Sequence, residues 1–348
     1  MKPPTEKQAG ILLLDVLSEL FDVKSGEIRL KTSPPSSKYD FSISVPPFRF
    51  IAEYKMQASA GQLTNAVKQL KQYTKDNEDK GLPLIVVPFM GTVGRQLCTE
   101  SQVSWLDLSG NANIDAPGLK IRIEGRANKY SDRGRPPNVF ASKSSRVIRQ
   151  LLFEPDRFQT QADLARKTGL GDGYVSKIVR RLQQEEYVVA DDGGAIRARD
   201  SNLLLDAWQD AYDFDRHRVL KGHVPARSGE ELLERLVNVL SAEKQEYAAT
   251  GLSAAWLLTH FATFRLVTVY LSSMPPRSVL NEMEFLDEPK GANVWLVLPD
   301  DEGVFHGGKS RDDIFCVSPI QVYLDLKGQP ERAKDAAVEL RRTLLHWG

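Results

Sequence analysis

In the stretch "EKQAGILLLDVLSELFDV" apolar side chains recur at helical spacing through Ile11, Leu14, Leu17, Leu20 and Phe21, which predicts an amphipathic helix. The period then shortens. "EIRLKT", "YDFSISV" and "FRFIAEYKM" read as three strands, the last two joined at Pro46 and Pro47 as an antiparallel pair. Helical spacing returns in "AGQLTNAVKQLKQYTKDN", with a stripe of Leu63, Val67, Leu70 and Tyr73. "LPLIVVPFM" is a short apolar run of the kind found in buried strands, and "VGRQLCTES" reads as helical. "VSWLDLSGNANI" reads as one strand that exits through a Gly-Asn turn. Alternating helices and strands of this kind predict an α/β layer with a mixed sheet.

The middle of the chain has a different rhythm. "KSSRVIRQLLFEP" predicts one helix, and "RFQTQADLARKTGLGDGYVSKIVRRLQQEEYVV" predicts two more with a turn at "TGLGDG". Thr160 is placed to cap the first of these two, with Asp163 three residues on. In the second, Val175, Ile178, Val179 and Leu182 form the apolar stripe. Ser176, Lys177, Arg180 and Gln184 then share the opposite face, and Tyr174 and Arg181 join them as candidate DNA contacts. "EEYVVADDGGAIRARD" reads as two short strands around Gly193 and Gly194, with Arg197 and Arg199 on the return strand. Beyond residue 200, "NLLLDAWQDAYDF" is an amphipathic connector and "SGEELLERLVNVLSAEKQEYAATGLSAAWLL" reads as helices with Ser228 as a cap. "RLVTVYLS", "NVWLVLP" and "IFCVSP" read as strands, and "QVYLDLKGQPERAKDAAVELRRTLLHW" as closing helices.

Charge sharpens this division. The 348 residues carry a formal net charge of +0, yet residues 120–199 hold 17 Lys and Arg against 10 Asp and Glu, an excess of seven positive charges. Concentration of positive charge in one segment is what a chain shows when only that segment meets a polyanion; a solvated basic face without a partner gives the same count. The segment opens with a connector rich in arginine, glycine and proline, in which Arg133 and Arg135 either follow phosphates or sit on a plain linker. The expected domains are therefore 1–125, the linker 126–141, 142–200 and 201–348. Cys98 and Cys316 are far apart and form no metal pattern, so they read as buried thiols of a reducing compartment. The longest apolar run is broken by His260 and Arg265, which predicts a cytoplasmic protein without a membrane span.

Candidate chemistry lies in "KYDFSISVPPFRFIAEYKM". Alternation along a strand puts Glu53 and Lys55 on one side together with Ile51, while Ala52 and Tyr54 face away, and a neighbouring strand can bring Asp40 beside them. Two carboxylates and a lysine suit a hard divalent cation, Mg2+ or Mn2+, that polarises a phosphoryl oxygen. The alternative is an ordinary Glu and Lys on the solvent side of a strand. The stretch resembles the active-site motif of the PD-(D/E)XK, or restriction-endonuclease-like, superfamily, over roughly residues 10–115. The resemblance implies that Asp40 is the first acid and that Glu53 and Lys55 are the E-x-K. It further implies that Gln69 and Tyr73 are the QxxxY pair of the RecB-like branch and that Glu19 is an extra metal ligand. Tyr39 stands where the motif has proline, and Asp40 falls inside a strand-like run rather than at a turn. The superfamily includes non-catalytic members, so the resemblance implies the fold more firmly than the reaction.

The middle segment "QADLARKTGLGDGYVSKIVRRLQQEEYV" resembles a MarR-like winged helix-turn-helix, which implies double-stranded DNA as ligand, although such modules also bind proteins. With "YAATGLSAAWLL", "NVWLVLPDDEGVF" and "VSPIQVYLDLKGQPERAKDAAVELRR", residues 142–348 resemble AbiEi-like antitoxins and transcriptional regulators of type IV toxin-antitoxin systems. That implies an α+β C-terminal domain, a possible partner toxin or homodimer, and regulation without a reaction. Asp300, Asp301 and Glu302 read as an exposed acidic turn, and none of the five histidines has ligand spacing. Two expectations follow: a DNA-binding regulator that needs no cofactor, or a metal-dependent nuclease delivered to DNA by the winged helix.

Overall fold

The computed structural model describes residues 2–34, 37–76, 81–130, 138–261 and 263–347. Arg133 and Arg135 lie outside the described residues. The chain is a mixed α/β structure with twelve α-helices among the described residues. It divides into two compact units, Met1–Asn138 with Val179–Val189, and Val139–Ile178 with Ala190–Gly348.

The first unit begins with α1 (Glu6–Phe21), whose N-terminus is closed by Thr5 and Gln8 in a reciprocal capping box. It continues through β1 (Arg29–Thr32), β2 (Phe41–Val45), β3 (Phe48–Tyr54), α2 (Ala60–Lys75), β4 (Leu82–Val87), α3 (Thr92–Glu100), β5 (Ser104–Asp107), β6 (Ala112–Ala116) and β7 (Leu119–Ile123). These seven strands form one sheet in chain order. β3, β4 and β5 run parallel, and the remaining neighbours are antiparallel. Two apolar layers flank it. Leu13 and Leu17 of α1 pack with Phe50, Ala52 and Tyr54, while Leu63, Val67 and Leu70 of α2 and Cys98 of α3 pack with Ile51 and Ile85. The alternation predicted for β3 therefore governs the core: successive residues feed opposite layers.

Two expectations change here. Asp40 is not inside a strand; it occupies a bend immediately before β2, with its N–H donating to Ala52 O at 2.9 Å. "VSWLDLSGNANI" is not one strand but the hairpin β5–β6. The buried Asp107 carboxylate makes this turn by accepting from Asn111 N at 2.9 Å, Asn111 Nδ2 at 2.9 Å and Met90 N at 3.1 Å. Gly110 takes φ +101° there, a backbone conformation in which any other residue would be strained. The N-terminus of α2 also meets the 185–187 segment of this unit: Ser59 Oγ, on the N-cap, donates to Glu185 O at 2.8 Å, and Ala60 N–H donates to Tyr187 Oη at 3.3 Å.

The middle of the chain forms α4 (Ser145–Phe153), α5 (Gln161–Thr168), α6 (Asp172–Gln184) and a two-stranded sheet of β8 (Val188–Ala190) and β9 (Ile196–Ala198). Thr160 caps α5 as expected, accepting from Asp163 N at 3.1 Å, and Gly169 ends it in the left-handed conformation.

In the second unit α7 (Ser201–Ala211), β10 (Arg218–Gly222), α8 (Gly229–Ala242), β11 (Tyr247–Thr250), α9 (Gly251–Thr259), β12 (Val267–Leu271), α10 (Arg277–Glu282) and β13 (Val294–Leu298) are followed by β14 (Lys309–Arg311), β15 (Ile314–Cys316), α11 (Pro319–Leu326) and α12 (Ala333–Leu344). Their six strands form a mixed sheet in the order β10-β13-β12-β11-β15-β14. β11 interrupts what the sequence reads as helices. Its "YAAT" is nearly all buried and shows no alternation, so no strand pattern marks it. Both cysteines are free and buried, and burial pushes each thiol up to about 12, so neither is reactive at neutral pH.

Candidate functional site

At the end of β3, Lys55 Nζ lies 2.8 Å from Glu53 Oε1. Glu53 is 5% exposed, whereas the lysine side chain is 29% exposed and faces solvent. Burial raises the Glu53 carboxyl above its ordinary value, Lys55 opposes that, and the carboxylates of Asp40 and Glu6 add to it. Asp40 Oδ2 accepts from Tyr54 N at 2.7 Å, which ties the bend to β3. The structure thus brings Asp40, Glu53 and Lys55 into one electrostatic neighbourhood, along with Glu6 from the start of α1, which the sequence does not single out. Gln69 of α2 donates to Lys38 O at 2.8 Å, and the Tyr73 ring stacks edge-on at 5.2 Å against Tyr39. Both members of the QxxxY pair therefore support the bend that carries Asp40. Glu19 is held elsewhere: its carboxylate accepts from Arg126 Nη2 at 2.7 Å and falls below the ordinary range because of that bond. Among the described residues no group of three His, Cys, Asp or Glu side chains is arranged to hold a metal ion. Asp40 and Glu53 offer hard oxygen donors, which fit a cation that keeps several of its waters.

On α6 the apolar stripe is buried as predicted, with Val175, Ile178, Val179 and Leu182 each at most 1% exposed. Lys177, Arg180 and Gln184 are exposed and Ser176 is half-buried. Tyr174 is exposed, and its hydroxyl lies 2.9 Å from Ser144 Oγ. Arg181 is largely covered and paired with Glu185, so it contributes less free charge than the sequence implies. On the β9 side, Arg199 is exposed and the Arg197 guanidinium lies 5.2 Å over the Phe158 ring.

A second buried polar cluster escaped the sequence reading. Asp325 on α11 is fully buried and accepts from Tyr212, Tyr270, Gln321 and Thr250. His217 Nδ1 accepts the Asp300 N–H at 3.0 Å, which leaves Nε2 to face the hydroxyls of Tyr212 at 2.9 Å and Tyr270 at 3.0 Å. Burial holds His217 below the ordinary histidine range and Asp325 above the ordinary carboxylate range. The acidic turn at 300–302 is only partly exposed: Asp301 accepts two 2.7 Å bonds from Arg146, forming a bidentate pair at low exposure. The residues of this cluster are spread over more than a hundred positions, and no local spacing links them.

Among the described residues no helix is long and apolar enough to cross a membrane. Residues 197–345 match the family model described as transcriptional regulator, AbiEi antitoxin, type IV TA system. The match runs from β9 to α12 and leaves α4, α5, α6 and the whole Asp40 region outside it. No curated protein and no solved structure matches the chain.

Proposed function

We propose that the chain is a DNA-binding transcriptional regulator and the antitoxin of a type IV toxin-antitoxin pair, acting in the cytoplasm. The observation that carries this reading is the match of residues 197–345 to the antitoxin regulator family. The exposed Lys177, Arg180 and Gln184 on α6, in the segment with seven excess positive charges, support α4–α6 and the β8–β9 ribbon as a winged helix that reads operator DNA. Arg199 and Arg197 then act as wing contacts to phosphate, and Ser176 and Tyr174 as adaptable contacts. A twofold dimer would read an inverted repeat with half-sites about one helical turn apart. The test is a footprint and gel shift on DNA upstream of the protein's own gene. Arg180→Ala and Lys177→Ala should each weaken binding by roughly 1–3 kcal/mol if a base is read, and by less if only a phosphate is met, without loss of fold. Unchanged affinity in both variants removes α6 as the reader.

A second reading has its own support. The convergence of Asp40, Glu53 and Lys55, with Gln69 and Tyr73 bracing the Asp40 bend, fits a restriction-endonuclease-like phosphodiesterase. Asp40 and Glu53 would hold Mg2+ or Mn2+, whose charge polarises a phosphoryl oxygen; Lys55, at the solvent edge, would sit against the developing negative charge. Incubating plasmid and single-stranded DNA with wild type or Glu53→Ala, with metal or chelator, separates the readings. Metal-dependent nicking lost in the variant supports the nuclease, while binding without cleavage leaves the regulator.

A further inference from the structure

The last turn of α6 is held by residues from far outside its own helices. A helix leaves its final carbonyls without intrahelical partners, and here Gln184 O accepts from Gln62 Nε2 at 3.0 Å and Glu185 O from Ser59 Oγ at 2.8 Å. Glu186 follows in the left-handed conformation at φ 61°, with Asn65 Nδ2 donating to its carboxylate, and the buried Tyr187 hydroxyl accepts from Ala60 N. All four donors lie between Ser59 and Asn65, in the N-cap and opening turns of α2, and belong with residues 179–189 to one compact unit. The contact sets the positive end of one helix dipole against the negative end of another.

Gly61 makes this seat possible. A Cβ there would collide with Glu185 O and would stand 2.6 Å from Glu186 O, and both are backbone atoms that cannot swing aside. Alanine is the better helix former, so the glycine is fitted to the approach of α6 and not to α2 itself. The seat adjoins the side chains through which α6 would read DNA: Arg180 and Gln184 are exposed on its final turns, and Gln184 gives its own carbonyl to Gln62. Functional contacts need side chains held to within about 0.5 Å and 10–20°. We infer that the start of α2 is the seat of the DNA-reading helix, with Gly61, Gln62 and Asn65 as positioning residues that fix Arg180 and Gln184 for base contact and act through α6 rather than on DNA. The inference rests on the reading of α6 as the DNA reader.

The test measures the affinity of the full chain for the duplex upstream of its own gene and for a random-sequence duplex of equal length, with hydrogen exchange at residues 180–187 as the check on the seat. Gly61→Ala should speed exchange there and lower the preference for the upstream duplex by about tenfold, the factor of one lost base contact, while affinity for the random duplex, which phosphate contacts dominate, stays unchanged. Asn65→Asp, which sets a second carboxylate against that of Glu186, should act in the same way, and adding Glu186→Gln should restore the preference. This pair carries the test if Gly61→Ala fails to fold. Equal loss of both affinities would mark a merely structural contact and overturn the inference. Arg180→Ala runs alongside. If it is silent, or if wild type shows no preference, the reader assignment fails and the seat falls with it. If Arg180→Ala weakens binding while Gly61→Ala and Asn65→Asp keep the full preference, the reader stands and the seat alone is overturned.

Discussion

Glu53 and Asp325 are both buried carboxylates, yet one is held by a single cation just past the end of its own strand and the other by four neutral donors drawn from four separate places in the chain. Glu53 lies beside a lysine that reaches solvent, whereas Asp325 is fully buried. The difference separates two uses of buried charge. A carboxylate at the end of a strand, beside a half-exposed lysine and raised by burial, is arranged to meet something from outside. One enclosed by Tyr212, Tyr270, Thr250 and Gln321 is arranged to hold elements together, joining the segment after α7 to β11, β12 and α11.

Removing each carboxylate tests this directly. Asp325→Ala leaves three hydroxyls and an amide without their acceptor inside the protein, and should cost about 3–5 kcal/mol in urea unfolding, the range for breaking a buried charged network. Glu53→Ala frees Lys55 to return to water and should cost about 1 kcal/mol or less. Equal losses would mean that Glu53 is as structural as Asp325.

The pH dependence should have opposite sign at Glu53 and at His217. Burial holds the Glu53 carboxyl above its ordinary value of 4.5 in the folded chain, so between that value and its raised one the native state binds more protons than the unfolded state, and stability falls as pH rises. Glu53→Gln should therefore gain on wild type as pH climbs above 4.5. Burial holds His217 below its ordinary value of 6.5, so its contribution is complete above 6.5 and is lost as pH falls through the depressed value. His217→Gln should flatten that acid loss. Paired urea midpoints from pH 4 to 8 check both, and parallel profiles in the two variants would erase the distinction.

The same contrast explains what the sequence reveals. Glu53 and Lys55 are legible because a strand's period is two, and the α6 stripe is legible because a helix's period near 3.6 returns Val175, Ile178, Val179 and Leu182 to one face. Elements with unambiguous periodicity, such as α1, α2, α5 and β3, stand where the pattern puts them. β11 is hidden because a short strand buried on both faces has no alternation, and the β5–β6 turn because Asp107 makes it through hydrogen bonds rather than composition. The Tyr212–Tyr270–Asp325 cluster is invisible for a deeper reason: the sheet order β10-β13-β12-β11-β15 and the helices packed on it bring together residues that no local rule connects. Glu6 belongs to the same class, since only the placement of α1 against the sheet brings it toward Glu53.

A further small effect concerns the bend that carries Asp40. Gln69 reaches it with one hydrogen bond to Lys38 O, near the surface, while backbone bonds from Asp40 N to Ala52 O and from Ser33 N to Asp40 O already fix the acid. Gln69→Ala should therefore cost about 0.5–1.5 kcal/mol and leave the Glu53 region folded, with amide shifts confined to residues 38–40. A loss well beyond that range, or shifts that spread along β3 to Lys55, would show that α2 holds the Asp40 bend in place more than the strand pairing does. The open carboxylate site would then depend on remote support much as Asp325 does, and the contrast between the two regions would narrow to one of exposure alone.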